Sequence, residues 1–255
     1  MRVHAWQPAT VWHDREANYA ALRMALEERQ PAPQDLVVLP EMFATGFSFK
    51  LEAVTEPEHG PTESFLREMA RSYQIHLLGG WAGRTAEGQG QNLASLISPS
   101  GEVALRYTKV HPFRFVGEEK VFRGGDTPGL FTIGNLCGAV AICYDLRFPE
   151  LFRLAVARGA VFFIVIANWP AARQAHWEAL LLARAIENQA YVLGVNRVGA
   201  DPKVNYAGGS CLIDPRGTVV AARGATPGFV SGELDLSALQ EYRASFPALQ
   251  DRKLI

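Results

Sequence analysis

The segment VFFIVIAN, residues 161–168, limits the fold more than any other stretch. Its first seven residues are uniformly apolar and rich in branched and aromatic side chains. A strand facing water on one side would alternate apolar with polar. A run with no alternation fits a strand covered on both faces, the usual setting of a parallel sheet flanked by helices. Val161 to Ala167 is also too short to cross a bilayer.

Other short apolar runs alternate with helical patterns. VHAW (3–6) opens as a strand. Residues 14–29 read as a helix with Tyr19, Leu22 and Leu26 on one face. LVVLP (36–40) is a buried strand. Residues 62–73 repeat apolar side chains at helical spacing, with Thr62 as the expected N-cap. IHLLGGW (75–81) is a strand, and 92–98 and 103–107 flank a Pro99-Ser100-Gly101 turn as a hairpin. CGAVAIC (137–143) runs straight into a helix, PELFRLAVARG (149–159), with Pro149 in its first turn and Gly159 as its stop. Residues 175–189 form a long helix and YVLGVNR (191–197) a strand.

LIDPRGTVV (212–220) echoes LISPSGEVA (96–104), each an apolar strand, a proline–glycine turn and a second strand. This internal similarity suggests two related α/β halves. Two mixed sheets packed face to face with helices outside give a four-layer α-β-β-α sandwich. The expected division is a main domain over 1–235 and a C-terminal helix and tail over 236–255. A chain of 255 residues, 48% hydrophobic and 20% charged, has enough apolar material for such a core. A net charge of −1 gives no reason to expect nucleic acid or an anionic membrane as partner. No basic leader precedes an apolar segment at the N-terminus, and three cysteines without CxxC spacing argue against a disulfide framework or structural zinc. The expected setting is reducing and cytoplasmic.

Cys143 ends a buried strand just before a helix, an elbow that presents a side chain at the carboxyl edge of a sheet. A nearby helix N-terminus would favour its thiolate. The competing reading is an inert buried thiol, the role expected of Cys137 and Cys211. Glu41 follows LVVLP at another strand end among apolar neighbours. It reads either as a base for a thiol or as a salt-bridged structural carboxylate. Lys109, in RYTKVHPFRF, could stabilise an oxyanion or lie on the surface. His111 and His176 are weaker candidates, since neither sits in an elbow or motif.

LPEMFATGF, YTKVHPF and CYDLRFPELFR, in this order, resemble the three signature segments of the nitrilase superfamily of carbon–nitrogen hydrolases. The similarity runs from Val3 to about Asp235. The resemblance places the family's glutamate, lysine and cysteine on Glu41, Lys109 and Cys143. It implies the nitrilase-type four-layer fold, no metal, no organic cofactor, and a homodimer or larger assembly built partly from helices near the cysteine. A second glutamate of the family falls on Glu118, with Glu119 adjacent. Residues 166–199 resemble the bacterial omega-amidase branch, which implies release of ammonia from 2-oxoglutaramate or 2-oxosuccinamate. Asn168 and Trp169 then sit at the same sheet edge as Cys143. Arg114 and Arg173 are candidate clamps for a substrate carboxylate, each also readable as a surface ion-pair partner. Phe47 and Tyr144 complete the candidate substrate contacts. Asp145 and Arg147 read as partners that stabilise the elbow. The competing functions are hydrolysis of other amides, N-carbamoyl amino acids or nitriles, a non-catalytic binding protein on the same fold, and a thiol redox sensor.

Overall fold

The computed structural model describes residues 1–253. The last two residues of the expected C-terminal tail, 254 and 255, lie outside them. Two sheets face each other. The first runs in the order Gly228–Glu233, Arg2–Gln7, Leu36–Val38, His76–Arg84, Gly90–Ile97, Val103–Thr108. The second runs Gly129–Ile133, Leu136–Ile142, Phe162–Ile166, Tyr191–Val195, Cys211–Ile213, Val219–Ala222. Each has three parallel central strands, an antiparallel strand on one edge and an antiparallel hairpin on the other. The two hairpins are those of LISPSGEVA and LIDPRGTVV, so the sequence echo marks equivalent positions in two halves.

The strand pleat explains the layers. In Phe162–Ile166, Phe162, Ile164 and Ile166 point between the sheets and pack with Val3, Val38 and Leu96 of the other half. Phe163 and Val165 point outward against the helices Pro149–Ala157 and Gln174–Asn188 through Phe152, Trp177 and Leu181. On the far side, Arg15–Arg29 and Pro61–Tyr73 cover the first sheet with Leu22, Leu26, Phe65 and Leu66. Each large apolar side chain buried this way contributes about 1.5–3 kcal/mol. The result is the four-layer α-β-β-α sandwich.

Two local expectations change. The Pro61–Tyr73 helix is capped by Gly60, not Thr62; the Thr62 backbone N–H and hydroxyl both donate to the buried Glu56 carboxylate, which serves the helix start from outside. Cys137 is only half-buried because its strand lies next to the sheet edge, whereas Cys211 is buried. The edge strands Gly129–Ile133 and Gly228–Glu233 carry too little apolar alternation to stand out in sequence. The latter pairs with Arg2–Gln7 and ties the two ends of the fold together, with the Leu234 N–H donating to the Met1 carbonyl at 2.8 Å. Residues Leu236–Ser245 form a helix capped by the Asp235 carboxylate.

Candidate active site

Central strands of both sheets, and the outer strand of one hairpin, deliver their carboxyl ends to one place. Glu41 follows Leu36–Val38, Lys109 follows Val103–Thr108, Cys143 follows Leu136–Ile142 and Asn168 follows Phe162–Ile166. Two of these come from each half. Gly80 allows the close approach at Glu41: a Cβ there would lie 2.7 Å from the Glu41 Cα and 2.8 Å from the Pro40 carbonyl.

Cys143 has φ +49°, in the left-handed region that a non-glycine side chain adopts at a cost of about 1–3 kcal/mol. The strand stops at Ile142 and a 3-10 turn, Cys143–Arg147, begins at the cysteine itself. Asp145 holds this turn. Its Oδ2 accepts from the Ile142 N–H at 2.9 Å and the Tyr107 hydroxyl at 2.7 Å. Its Oδ1 accepts from the His111 N–H at 2.9 Å and lies 2.8 Å from the His111 Nδ1. Asp145 is therefore a fully buried anchor for the elbow, and His111 is engaged in the same anchor. His176 is exposed, 3.2 Å from an Arg147 nitrogen, away from the thiol cluster.

Behind the cysteine lies a buried ionic cluster. The Lys109 ammonium donates to Glu41 Oε1 at 3.1 Å and to the two Glu118 oxygens at 3.0 and 2.9 Å. All three side chains are at most 1% exposed. Glu119 is exposed, so Glu118 is the glutamate that joins the cluster. Burial would lower the Lys109 pKa, but the Glu41 and Glu118 carboxylates together hold it above the usual lysine range. Burial first, and the Glu41 charge second, push the Cys143 thiol well up, with Lys109 only partly opposing them. This differs from the expected thiolate. Two carboxylates against one ammonium leave the surroundings negative, and the turn at Cys143 is too short and too tightly wound to act as an extended helix terminus.

A cavity of about 520 Å³ opens beside the cluster and is bordered by Cys143, Glu41 and Lys109. Phe47, Tyr144 and Trp169 supply apolar wall, with the Phe47 ring 5.4 Å from the Lys109 Nζ. Asn168 reaches the cavity, but its side-chain amide donates to the Glu41 carbonyl at 2.6 Å while its backbone N–H donates to Glu41 Oε2 at 2.8 Å. Asn168 thus holds Glu41 in place. Arg173 borders the cavity with its guanidinium over the Phe113 ring. Arg114 does not. It starts the short turn Arg114–Val116, where Phe113 and Val116 face the cavity and the Arg114 side chain is in solvent. Arg147 takes the place expected for Arg114: it borders the cavity with its guanidinium 4.9 Å from the Trp169 ring centroid and no carboxylate partner among the described residues.

Sequence reasoning missed Asn92, Tyr107 and the ribbon Val198–Ala200 with Asn205–Ala207, which brings Tyr206 to the cavity. None of these lies in the three signature segments except Tyr107, whose hydroxyl partner is 38 positions away.

The carbon–nitrogen hydrolase family model matches residues 2–244. The chain belongs to the carbon–nitrogen hydrolase family. It is similar to the omega-amidase YafV of Yersinia enterocolitica, 38% identical with 98% of this chain and 96% of that protein covered. It is also similar to the 2-oxoglutaramate amidase of Bacillus subtilis, 33% identical over 88% of this chain and 87% of that protein. Among solved structures, XC1258 of Xanthomonas campestris, a carbon–nitrogen hydrolase superfamily protein with an arsenic adduct in its active site, superposes with a TM-score of 0.93. The identity there is 34%, over 100% of this chain and 98% of that one. These relatives and the two-sheet architecture make the chain a nitrilase-superfamily enzyme. No helix among the described residues is long and apolar enough to cross a membrane.

Proposed function

We propose that this carbon–nitrogen hydrolase is an omega-amidase that cleaves the terminal amide of a small 2-oxo dicarboxylic acid monoamide, 2-oxoglutaramate or 2-oxosuccinamate. The observation that carries the reading is the strained Cys143 elbow set against the buried Glu41–Lys109–Glu118 cluster at the cavity. The names of the relatives in Yersinia and Bacillus supply the substrate class.

The chemistry follows from the charges. Burial and the Glu41 charge push the Cys143 thiol up, so attack calls for a base beside it. Glu41 takes the thiol proton as Sγ bonds to the amide carbon. Lys109, charged and buried beside it, stabilises the oxyanion. Glu41 returns the proton to nitrogen, the C–N bond breaks and ammonia leaves. A water then attacks the thioester, giving its proton to Glu41. The C–S bond breaks and Sγ recovers the proton. Glu118 acts through Lys109, because it does not border the cavity. Two guanidiniums at the cavity, Arg147 and Arg173, have no carboxylate partner among the described residues and stand ready for the substrate's far carboxylate.

The test is ammonia release from 2-oxoglutaramate and from neutral amides of similar length, with mass spectrometry of quenched enzyme. The reading expects a preference for the acid substrate and an acyl adduct on the peptide holding Cys143. A wild type that prefers the neutral amide points to a general aliphatic amidase. We also propose a homodimer joined through the Pro149–Ala157 and Gln174–Asn188 helices, whose Leu154, Leu182 and Ile186 are 42%, 37% and 48% exposed. Light scattering that gives a monomer removes that part. Three free cysteines suit a reducing cytoplasm, which cell fractionation tests.

A further inference from the structure

The strand Gly90–Ile97 sends one polar side chain into the buried ionic cluster. Asn92 is 1% exposed. Its backbone carbonyl accepts from the Lys109 N–H at 2.9 Å, which brings the two residues together across the strand pair. The Asn92 Nδ2 donates to Glu41 Oε1 at 2.7 Å and to Glu118 Oε1 at 3.1 Å. Lys109 Nζ donates to the same two oxygens. The four groups form a closed ring in which two donors alternate with two carboxylate oxygens. The amide orientation is dictated by chemistry. Turned over, its Oδ1 would face two carboxylate oxygens with no proton between them.

The ring bears on the proposed base. Each carboxylate oxygen presents about two lone-pair positions. On Glu41, Oε1 is filled by Lys109 and Asn92. Oε2 accepts one firm bond, from the Asn168 N–H at 2.8 Å; the Asn168 Nδ2 at 3.5 Å is too long and adds little. One lone pair of Oε2 therefore remains for a proton from Cys143 or from water.

We infer that Asn92 is a positioning residue that occupies Glu41 Oε1, so that the proton transferred in each half-reaction travels through Glu41 Oε2. This rests on Glu41 being the base. The charged and titratable groups that face Glu41 are Lys109 at the end of its strand, Glu118 on the turn Glu118–Lys120, Cys143 on the elbow and Tyr206 on the Asn205–Ala207 strand.

Asn92→Asp is the sharpest test, since it keeps the shape and replaces the donor with an acceptor. The new oxygen faces two carboxylates and retains a proton among them up to higher pH. The acidic limb of the kcat/KM profile should move upward by on the order of one pH unit. At neutral pH kcat should fall roughly 10- to 100-fold, within the range a general base supplies, while KM moves less than about threefold. Asn92→Ala, where water can re-enter and donate, should show the same shift in smaller measure. A purely structural role would lower activity without moving the limb. Should Asn92→Asp melt early, the Asn92→Ala profile carries the test alone. Glu41→Gln serves as the control for the underlying reading. An inactive Glu41→Gln beside an Asn92→Asp profile that matches wild type overturns the inference about Asn92 alone. An active Glu41→Gln overturns the base assignment and this inference with it.

Discussion

Asp145→Asn isolates the energetics of the elbow. The carboxylate accepts from Ile142 N, Tyr107 OH and His111 N and contacts His111 Nδ1, all while fully buried. An amide of the same shape can accept on one side only. Whichever way it turns, its NH2 faces a backbone N–H, either that of Ile142 or that of His111. One buried donor then loses its partner, at about 1–3 kcal/mol, and the bonds that remain lose their charge. A total of about 2–4 kcal/mol follows. For a chain of this length each kcal/mol shifts Tm by about 2–4 °C, so the melt should move down by roughly 5–15 °C. The same loss releases the restraint on Cys143 at φ +49°, and a misplaced nucleophile costs rate before it costs binding. kcat should fall about 10- to 100-fold with KM little changed. Circular dichroism melts and steady-state ammonia assays on the same preparation measure both. An Asp145→Asn protein within 1 °C, by our rough threshold, and about twofold of wild type refutes the claim that this carboxylate holds the elbow.

Cys143→Ala should abolish turnover, and Cys143→Gly should be equally inactive but about 1 kcal/mol more stable than Cys143→Ala, because glycine relieves the positive φ; denaturant melts compare the two. Arg147→Ala or Arg173→Ala should cost about 10- to 100-fold in kcat/KM for the acid substrate and much less for a neutral amide, whereas Arg114→Ala should leave both unchanged; no separation in either mutant would place the carboxylate elsewhere. Gly80→Ala should reduce activity at least about tenfold by pushing its Cβ against the Glu41 backbone, and full activity would mean that Glu41 tolerates the shift. The raised Cys143 thiol should be alkylated by iodoacetamide in the resting enzyme with a rate that begins to climb at higher pH than for an ordinary cysteine, since its thiolate appears only there.

What could be read from the sequence divides along a physical line. The run 161–168 announced a doubly covered strand because both of its faces meet apolar layers, and the repeated hairpins announced two halves because each half builds the same sheet. Glu41, Lys109 and Cys143 stood out because strand ends are few and each carries a reactive group in a local motif. Asn92 lies in the interior of a strand pattern, where an asparagine reads as a polar interruption; only the pairing across from Lys109 turns it toward two carboxylates. Arg114 leaves the pocket and Arg147 enters it, against expectation, for a similar reason. Both lie in turns, where side-chain direction depends on the backbone angle at each residue and not on periodicity. The turn Arg114–Val116 spends its inward positions on Phe113 and Val116, which sends the arginine to solvent. The elbow does the opposite: Asp145 is drawn inward by three donors and the His111 ring, and the residue two places on is carried round to the cavity over Trp169. Motif spacing can therefore single out the groups proposed to react, while the residues packed around them are set by contacts between segments far apart in the chain.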